Sequence, residues 1–112
     1  MAGPFRYHQR VRYHECDPQG VVFYANYLMY VDVAMTEFWR AAVGGYAAMV
    51  ASGTDVMVAE AKIRYRESAR FDDELDVRIW VTGLGTTSVV NGFALERVAD
   101  GALLVEGELR QV

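Results

Sequence analysis

Residues 24–43 hold the one long helical stripe of this chain, and the other sizeable patterned stretches alternate as strands do. Tyr27, Tyr30, Val31, Ala34, Phe38 and Ala41 recur at three- and four-residue spacing, which lines one face of an α-helix. Val33, Met35 and Trp39 carry apolar character beyond that face, so the helix is expected to be enclosed rather than laid on a surface. Gly44-Gly45 supplies a C-terminal stop, and the Ala-rich stretch 46–52 adds a further helical turn or two before Gly53.

Around that helix the chain reads as strand. Residues 6–13 place Tyr7, Gln9, Val11 and Tyr13 on one face and Arg6, His8, Arg10 and Arg12 on the other, a half-buried strand with a basic outer side. Residues 55–68 set Ala61, Ile63 and Tyr65 against Lys62, Arg64 and Arg66. Residues 74–82 alternate again, 86–98 form a third run, Asp100-Gly101 marks a hairpin turn, and 102–110 complete the series. The pattern predicts a strand, a long helix and a meander of four strands. An antiparallel sheet with one apolar face needs cover, and only this helix is long enough to give it. The expected fold class is therefore α+β, one long helix wrapped by a curved antiparallel sheet of about five strands.

A chain of 112 residues makes one domain, here 1–112. With 53% hydrophobic and 23% charged residues, neither disorder nor a membrane span is expected, and no apolar run approaches the ~20 residues a transmembrane helix needs. The start Met-Ala-Gly-Pro-Phe-Arg lacks the apolar segment of a secretory signal, so a cytoplasmic location is expected. A net charge of −4 argues against nucleic-acid binding through phosphates. One cysteine, Cys16, and two histidines, His8 and His14, leave no internal disulfide and no Cys- or His-rich metal centre to expect.

The chemistry is concentrated in residues 15–27, Glu15-Cys16-Asp17-Pro18-Gln19-Gly20-Val21-Val22-Phe23-Tyr24-Ala25-Asn26-Tyr27. Asp17 opens a Pro/Gly turn that runs into the long helix. A helix N-terminus carries four backbone N–H groups without intrahelical partners, and the helix dipole favours negative charge there. An acid beside such donors is a minimal kit for attack on an activated carbonyl.

Tyr13, Asp17, Gly20, Val22, Tyr24, Asn26 and Tyr27, in this spacing and followed by the long helix, resemble the hotdog-fold acyl-CoA thioesterases, in particular the 4-hydroxybenzoyl-CoA thioesterase-like family. Tyr65 and the turn Arg70-Phe71-Asp72-Asp73-Glu74-Leu75 resemble a second, weaker signature of that family. The resemblance implies a hotdog fold and hydrolysis of an acyl-CoA thioester, or of an acyl-carrier-protein thioester, with no cofactor or metal. It implies Asp17 as catalytic carboxylate, the Tyr24 backbone N–H as donor to the thioester oxygen, and Gly20, Asn26, Tyr27 and Asp32 around the substrate. Asp32 falls where an acidic residue of aryl-specific members meets a phenol hydroxyl. A homodimer or homotetramer is implied, with the pocket at the subunit boundary. One departure is plain. Some members grip nucleotide phosphates with a basic run between the third and fourth strands, and here Gly83-Leu84-Gly85-Thr86-Thr87-Ser88 carries no positive charge.

Each residue also has a plainer reading. Asp17 before Pro18 is by itself a common turn former. Tyr24, Tyr27 and Tyr30 at helical spacing read as packing and pocket wall. Asp32 reads as a polar-face residue pairing with Arg40 or with a subunit neighbour, Cys16 as an inert thiol, and Lys62, Arg64 and Arg66 as a solvated sheet face or, alternatively, a phosphate-contacting row. Two other functions compete on such a fold. A hydratase or dehydratase of hydroxyacyl thioesters pairs an Asp with a His, and no histidine follows the helix here. A non-catalytic acyl-thioester binding domain would have no need of Asp17.

Overall fold

A computed structural model describes residues 4–112. Strand β1 (Phe5–Arg10) leads through a short 3-10 turn (Tyr13–Glu15) to helix α1 (Asn26–Val43) and the short helix α2 (Tyr46–Ala51). Strands β2 (Val58–Tyr65), β3 (Glu74–Leu84), β4 (Val89–Arg97) and β5 (Leu103–Gln111) follow. All pairings are antiparallel, and the five strands lie in the order β1-β3-β4-β5-β2. One long helix over a five-stranded antiparallel sheet is the architecture that the hydrophobic pattern predicts.

The helix forms because its stripe has somewhere to go. Tyr27, Tyr30, Val31, Ala34, Met35 and Phe38 are buried along one side, against Leu75, Val77 and Ile79 of β3, Phe93 and Leu95 of β4, and Val105 of β5. Burying each such side chain contributes about 1.5–3 kcal/mol, which gives the helix most of its stability. Gly44 ends it in the left-handed region (φ 85°), and the Gly45 N–H donates to the Trp39 carbonyl at 3.2 Å.

Three expectations need correction. The four later strands are not one meander. Only β3, β4 and β5 follow one another across the sheet, while β2 pairs with β5 at the far edge. Alternation along a strand fixes which side chains face the core, and it carries no information about neighbours. The second concerns Tyr13, which is 75% exposed rather than on the inner face. Strand β1 stops at Arg10 because the Glu15 carboxylate captures the backbone N–H of Arg12 at 2.8 Å and curls the chain. Third, α1 begins at Asn26, and residues 24 and 25 form a turn ahead of it.

The β2–β3 connection matters most for the site. Residues 66–73 cross the head of α1, where the Val22 N–H donates to the Ala69 carbonyl at 2.9 Å and the Ala69 N–H donates to the Tyr27 hydroxyl at 3.0 Å. Strand β2 can lie this close to β5 because position 107 is glycine, where a Cβ would fall 1.9 Å from the Lys62 carbonyl oxygen. Since that obstacle is backbone, Gly107→Ala is expected to cost roughly 1–3 kcal/mol, the usual range for overpacking. Urea denaturation checks this, and a variant with an unchanged midpoint would contradict the close approach of β2 and β5.

Candidate active site

The Asp17 turn is closed on both sides. The Gly20 N–H donates to the Asp17 carbonyl at 2.9 Å, and the Asp17 N–H donates to the Val21 carbonyl at 2.8 Å. One carboxylate oxygen of Asp17 accepts the Gln19 N–H at 2.8 Å, an Asx-type bond that fixes the side chain and leaves its other oxygen without a hydrogen-bond partner among the described residues. Gly20 takes φ 80°, the left-handed region that glycine enters without strain.

From this turn the chain runs directly to the head of α1. The Glu15 carbonyl accepts the Phe23 N–H at 2.9 Å and the Asn26 side-chain amide at 2.9 Å. The next amide, that of Tyr24, has no hydrogen-bond partner among the described residues. The Tyr24 carbonyl accepts the Tyr65 hydroxyl at 3.4 Å, and the two rings meet edge to face with centroids 6.2 Å apart.

Asp17 and Tyr24 line one cavity of about 260 Å³, walled by Val21, Val22, Tyr27 and Tyr65, with residues 66–68 at its lip. On the other side of Asp17 lies an open hollow of about 550 Å³ bounded by Tyr13, Cys16, Pro18, Gly20 and Phe71. Asp17 thus stands between two concavities, one of them also lined by Tyr24. A third concavity, of about 500 Å³, sits on the outer face of the sheet beside Trp80 and away from Asp17. Of the cations near it, Arg78 faces Glu96 at 3.1 Å and Lys62 faces Glu60 at 3.7 Å.

Under the turn sits a group that the sequence pattern does not single out. Glu15 is 2% exposed. Its carboxylate accepts the Arg12 N–H at 2.8 Å, the Arg12 Nε–H at 2.7 Å and the Tyr30 hydroxyl at 2.8 Å. Burial alone would push the Glu15 carboxyl up, yet the hydrogen bonds from Arg12 and Tyr30, with the charge of Arg12, hold it below the ordinary range. The same contact drives the Tyr30 hydroxyl the other way, far up, through burial first and the bond to Glu15 second. Burial also raises the Cys16 thiol, with Asp17 and Glu15 adding to the effect. A raised thiol is a poor nucleophile at neutral pH.

The remaining sequence-selected residues are spread out. Tyr27 is buried, its ring in the cavity wall and its hydroxyl on the Ala69 amide. Asn26 spends its amide on the Glu15 carbonyl. Asp32 is exposed on α1 and lines neither cavity at Asp17, and Arg40 pairs with Glu37 rather than with it. His8 and His14 line neither cavity. Among the described residues no group of three His, Cys, Asp or Glu is arranged to hold a metal, and no helix is long and apolar enough to cross a membrane.

One long helix over a five-stranded antiparallel sheet, with Asp17 and Tyr24 lining a cavity ahead of the helix, is the architecture of a hotdog-fold thioesterase. The chain belongs to the thioesterase superfamily, whose sequence model matches residues 19–101. It is similar to the acyl-CoA thioester hydrolase YbgC of Escherichia coli, at 33% identity over 94% of this chain and 78% of that protein. It is also 34% identical to a putative esterase of Aquifex aeolicus over 68% of this chain, spanning 59% of that protein's length. A 4-hydroxybenzoyl-CoA thioesterase mutant, solved in complex with 4-hydroxybenzoyl-CoA, superposes with a TM-score of 0.89 over 99% of this chain and 84% of that one. At 20% identity that likeness speaks for the fold alone.

The depressed Glu15 carboxyl has a consequence for stability. A carboxyl whose folded value lies below its unfolded one stabilises the fold fully above the unfolded value, near pH 4.3. That contribution is lost as pH falls through the folded value. The stability gap between the wild type and Glu15→Gln is therefore expected to be constant from neutral pH to about pH 5 and to narrow below about pH 4. Urea melts at a series of pH values measure it, and a gap that stays constant down to pH 3 would contradict the ionised, hydrogen-bonded state of Glu15.

Proposed function

We propose that this chain hydrolyses acyl-CoA thioesters, releasing a carboxylic acid and the free CoA thiol. The observation that carries the reading is the cavity that Asp17 and Tyr24 both line, with the Tyr24 amide left without a hydrogen-bond partner among the described residues. The name of the YbgC relative supports the carrier as CoA. An acyl-carrier-protein thioester presents the same reacting group.

Thioester hydrolysis suits so spare a site. The leaving thiolate has a conjugate acid of pKa about 8.5, judged by the cysteine side chain, so it departs without a dedicated proton donor. What the protein must supply is a nucleophile and a home for the developing oxyanion. The Tyr24 N–H, aided by the dipole of α1, fills the second need, and one such donor is worth roughly 3–4 kcal/mol in comparable sites. Asp17 fills the first by either of two routes. Its free oxygen bonds to the acyl carbon as the C–S bond breaks, giving an anhydride that water then opens. Alternatively it takes a proton from a water that attacks in its place.

The other residues shape the substrate's surroundings. Gly20 keeps the floor beside Asp17 free of a side chain, Tyr27 walls the cavity, and Asn26 steadies the helix head. Asp32 serves a hydroxyl on an aryl acyl group across the boundary with a second copy, since it lines neither cavity of its own chain. A homodimer or homotetramer fits strand β2, an edge strand whose Val58 and Tyr65 are 56% and 48% exposed. The hydratase and binding-domain alternatives find no comparable support, because among the described residues no histidine lines either cavity at Asp17, while an acid lines both.

Asp17→Asn is expected to lower kcat by at least ~10², the low end for a lost acid–base group, with the fold intact. Thiol release across a panel of aryl, short and long acyl-CoA substrates measures it. Near-full activity in the variant would contradict the role given to Asp17.

A further inference from the structure

We infer that Glu15 is a positioning residue for this reaction, locking the Asp17 turn to the head of α1 so that the carboxylate and the Tyr24 amide face one substrate carbonyl. The inference rests on the reading of Asp17 and Tyr24 given above and extends it to a buried group that the chemistry does not touch.

Glu15 is held at both ends. Its carboxylate binds Arg12 at the end of the β1 segment and Tyr30 within α1. Its backbone carbonyl binds the Phe23 amide and the Asn26 side chain at the entry to α1. The reacting groups lie immediately beyond these anchors. Asp17 is two residues after Glu15, and Tyr24 is one residue after the amide that Glu15 engages. By taking the Phe23 N–H, Glu15 fixes the chain just before the oxyanion donor and on the same rigid body as the acid.

A buried ion pair is weak evidence for stability, because a well-packed apolar replacement often serves as well. What an apolar residue could not do is hold three segments in one register through directed bonds. The groups around the carboxylate are Arg12, Tyr30 and the His14 ring, whose Nε2 lies 3.9 Å away. Neither Glu15 nor any of these groups lines the cavity that Asp17 and Tyr24 line, so Glu15 makes no contact there with a substrate. A misplacement of about 1 Å can cost on the order of 10² in rate.

The test is a double-mutant cycle read by steady-state thiol release from an acyl-CoA that the wild type turns over, with urea melts confirming that each variant is folded. Glu15→Gln is expected to lower kcat about 10-fold or more with KM changed less than about threefold. Added to Asp17→Asn, the same change is expected to lower kcat by a clearly smaller factor than in the wild type, because one of the two groups it positions is gone. Tyr30→Phe keeps the ring and removes one bond to Glu15, and it is expected to shift kcat in the same direction even if Glu15→Gln does not fold. Equal fold-losses in both backgrounds would mean general damage and would overturn the inference. Wild-type kcat in folded Glu15→Gln or Tyr30→Phe, beside an inactive Asp17→Asn, would overturn it while leaving the Asp17 reading intact. A fully active Asp17→Asn would overturn both.

Discussion

An ionised carboxylate removed from water is costly, on the order of several kcal/mol after relaxation, unless bonds inside the protein replace its hydration. Glu15 meets that demand with Arg12 on one side and the Tyr30 hydroxyl on the other. The constraint spreads because the two partners belong to different parts of the fold. Arg12 follows the last strand-like residues of the N-terminal segment, and Tyr30 is fully buried in the core stripe of α1. Satisfying one buried charge therefore fastens the end of the β1 segment, the Asp17 turn and the helix together. The turn that bears Asp17 inherits its position from that fastening.

The opposite wall of the cavity is braced from farther away. Arg97, near the end of β4, donates to the Ser68 carbonyl at 3.0 Å and to the Asp73 carboxylate at 3.2 Å, and so supports both ends of the segment that crosses the helix head. That segment in turn presents the Ala69 amide to Tyr27. The site is held between a buried acid beneath the turn and an arginine behind the crossover. The reaction needs little more than this rigidity, because a thioester supplies its own good leaving group and asks the protein only for orientation and charge stabilisation.

Much of this was legible in the sequence, for reasons that differ from residue to residue. The helix showed itself because Tyr27, Tyr30, Val31, Ala34 and Phe38 follow a 3.6-residue period that only an enclosed helix satisfies. The Asp17 turn showed itself because proline and glycine punctuate the chain at fixed offsets. Strand order did not, since the place of β2 beside β5 depends on a crossover and on the close approach at Gly107, neither of which has a period. Tyr13 departs from the alternation because the pattern in the residues continues past the point where Glu15 bends the chain. Glu15 itself looked like one more polar residue in a polar stretch. The available signal was the Arg12-to-Glu15 spacing of three, which permits the reciprocal bonds seen here, together with a tyrosine on the buried face of the helix that follows.

The central claim is that the acyl oxygen rests on the Tyr24 amide while Asp17 faces the acyl carbon. A crystal structure with a non-hydrolysable ketone analogue of an acyl-CoA, a methylene separating the carbonyl from sulfur, examines it directly. The account predicts a ketone oxygen about 2.7–3.1 Å from the Tyr24 nitrogen, with the carbonyl carbon turned toward the free oxygen of Asp17. An analogue bound with its carbonyl remote from both groups would contradict it.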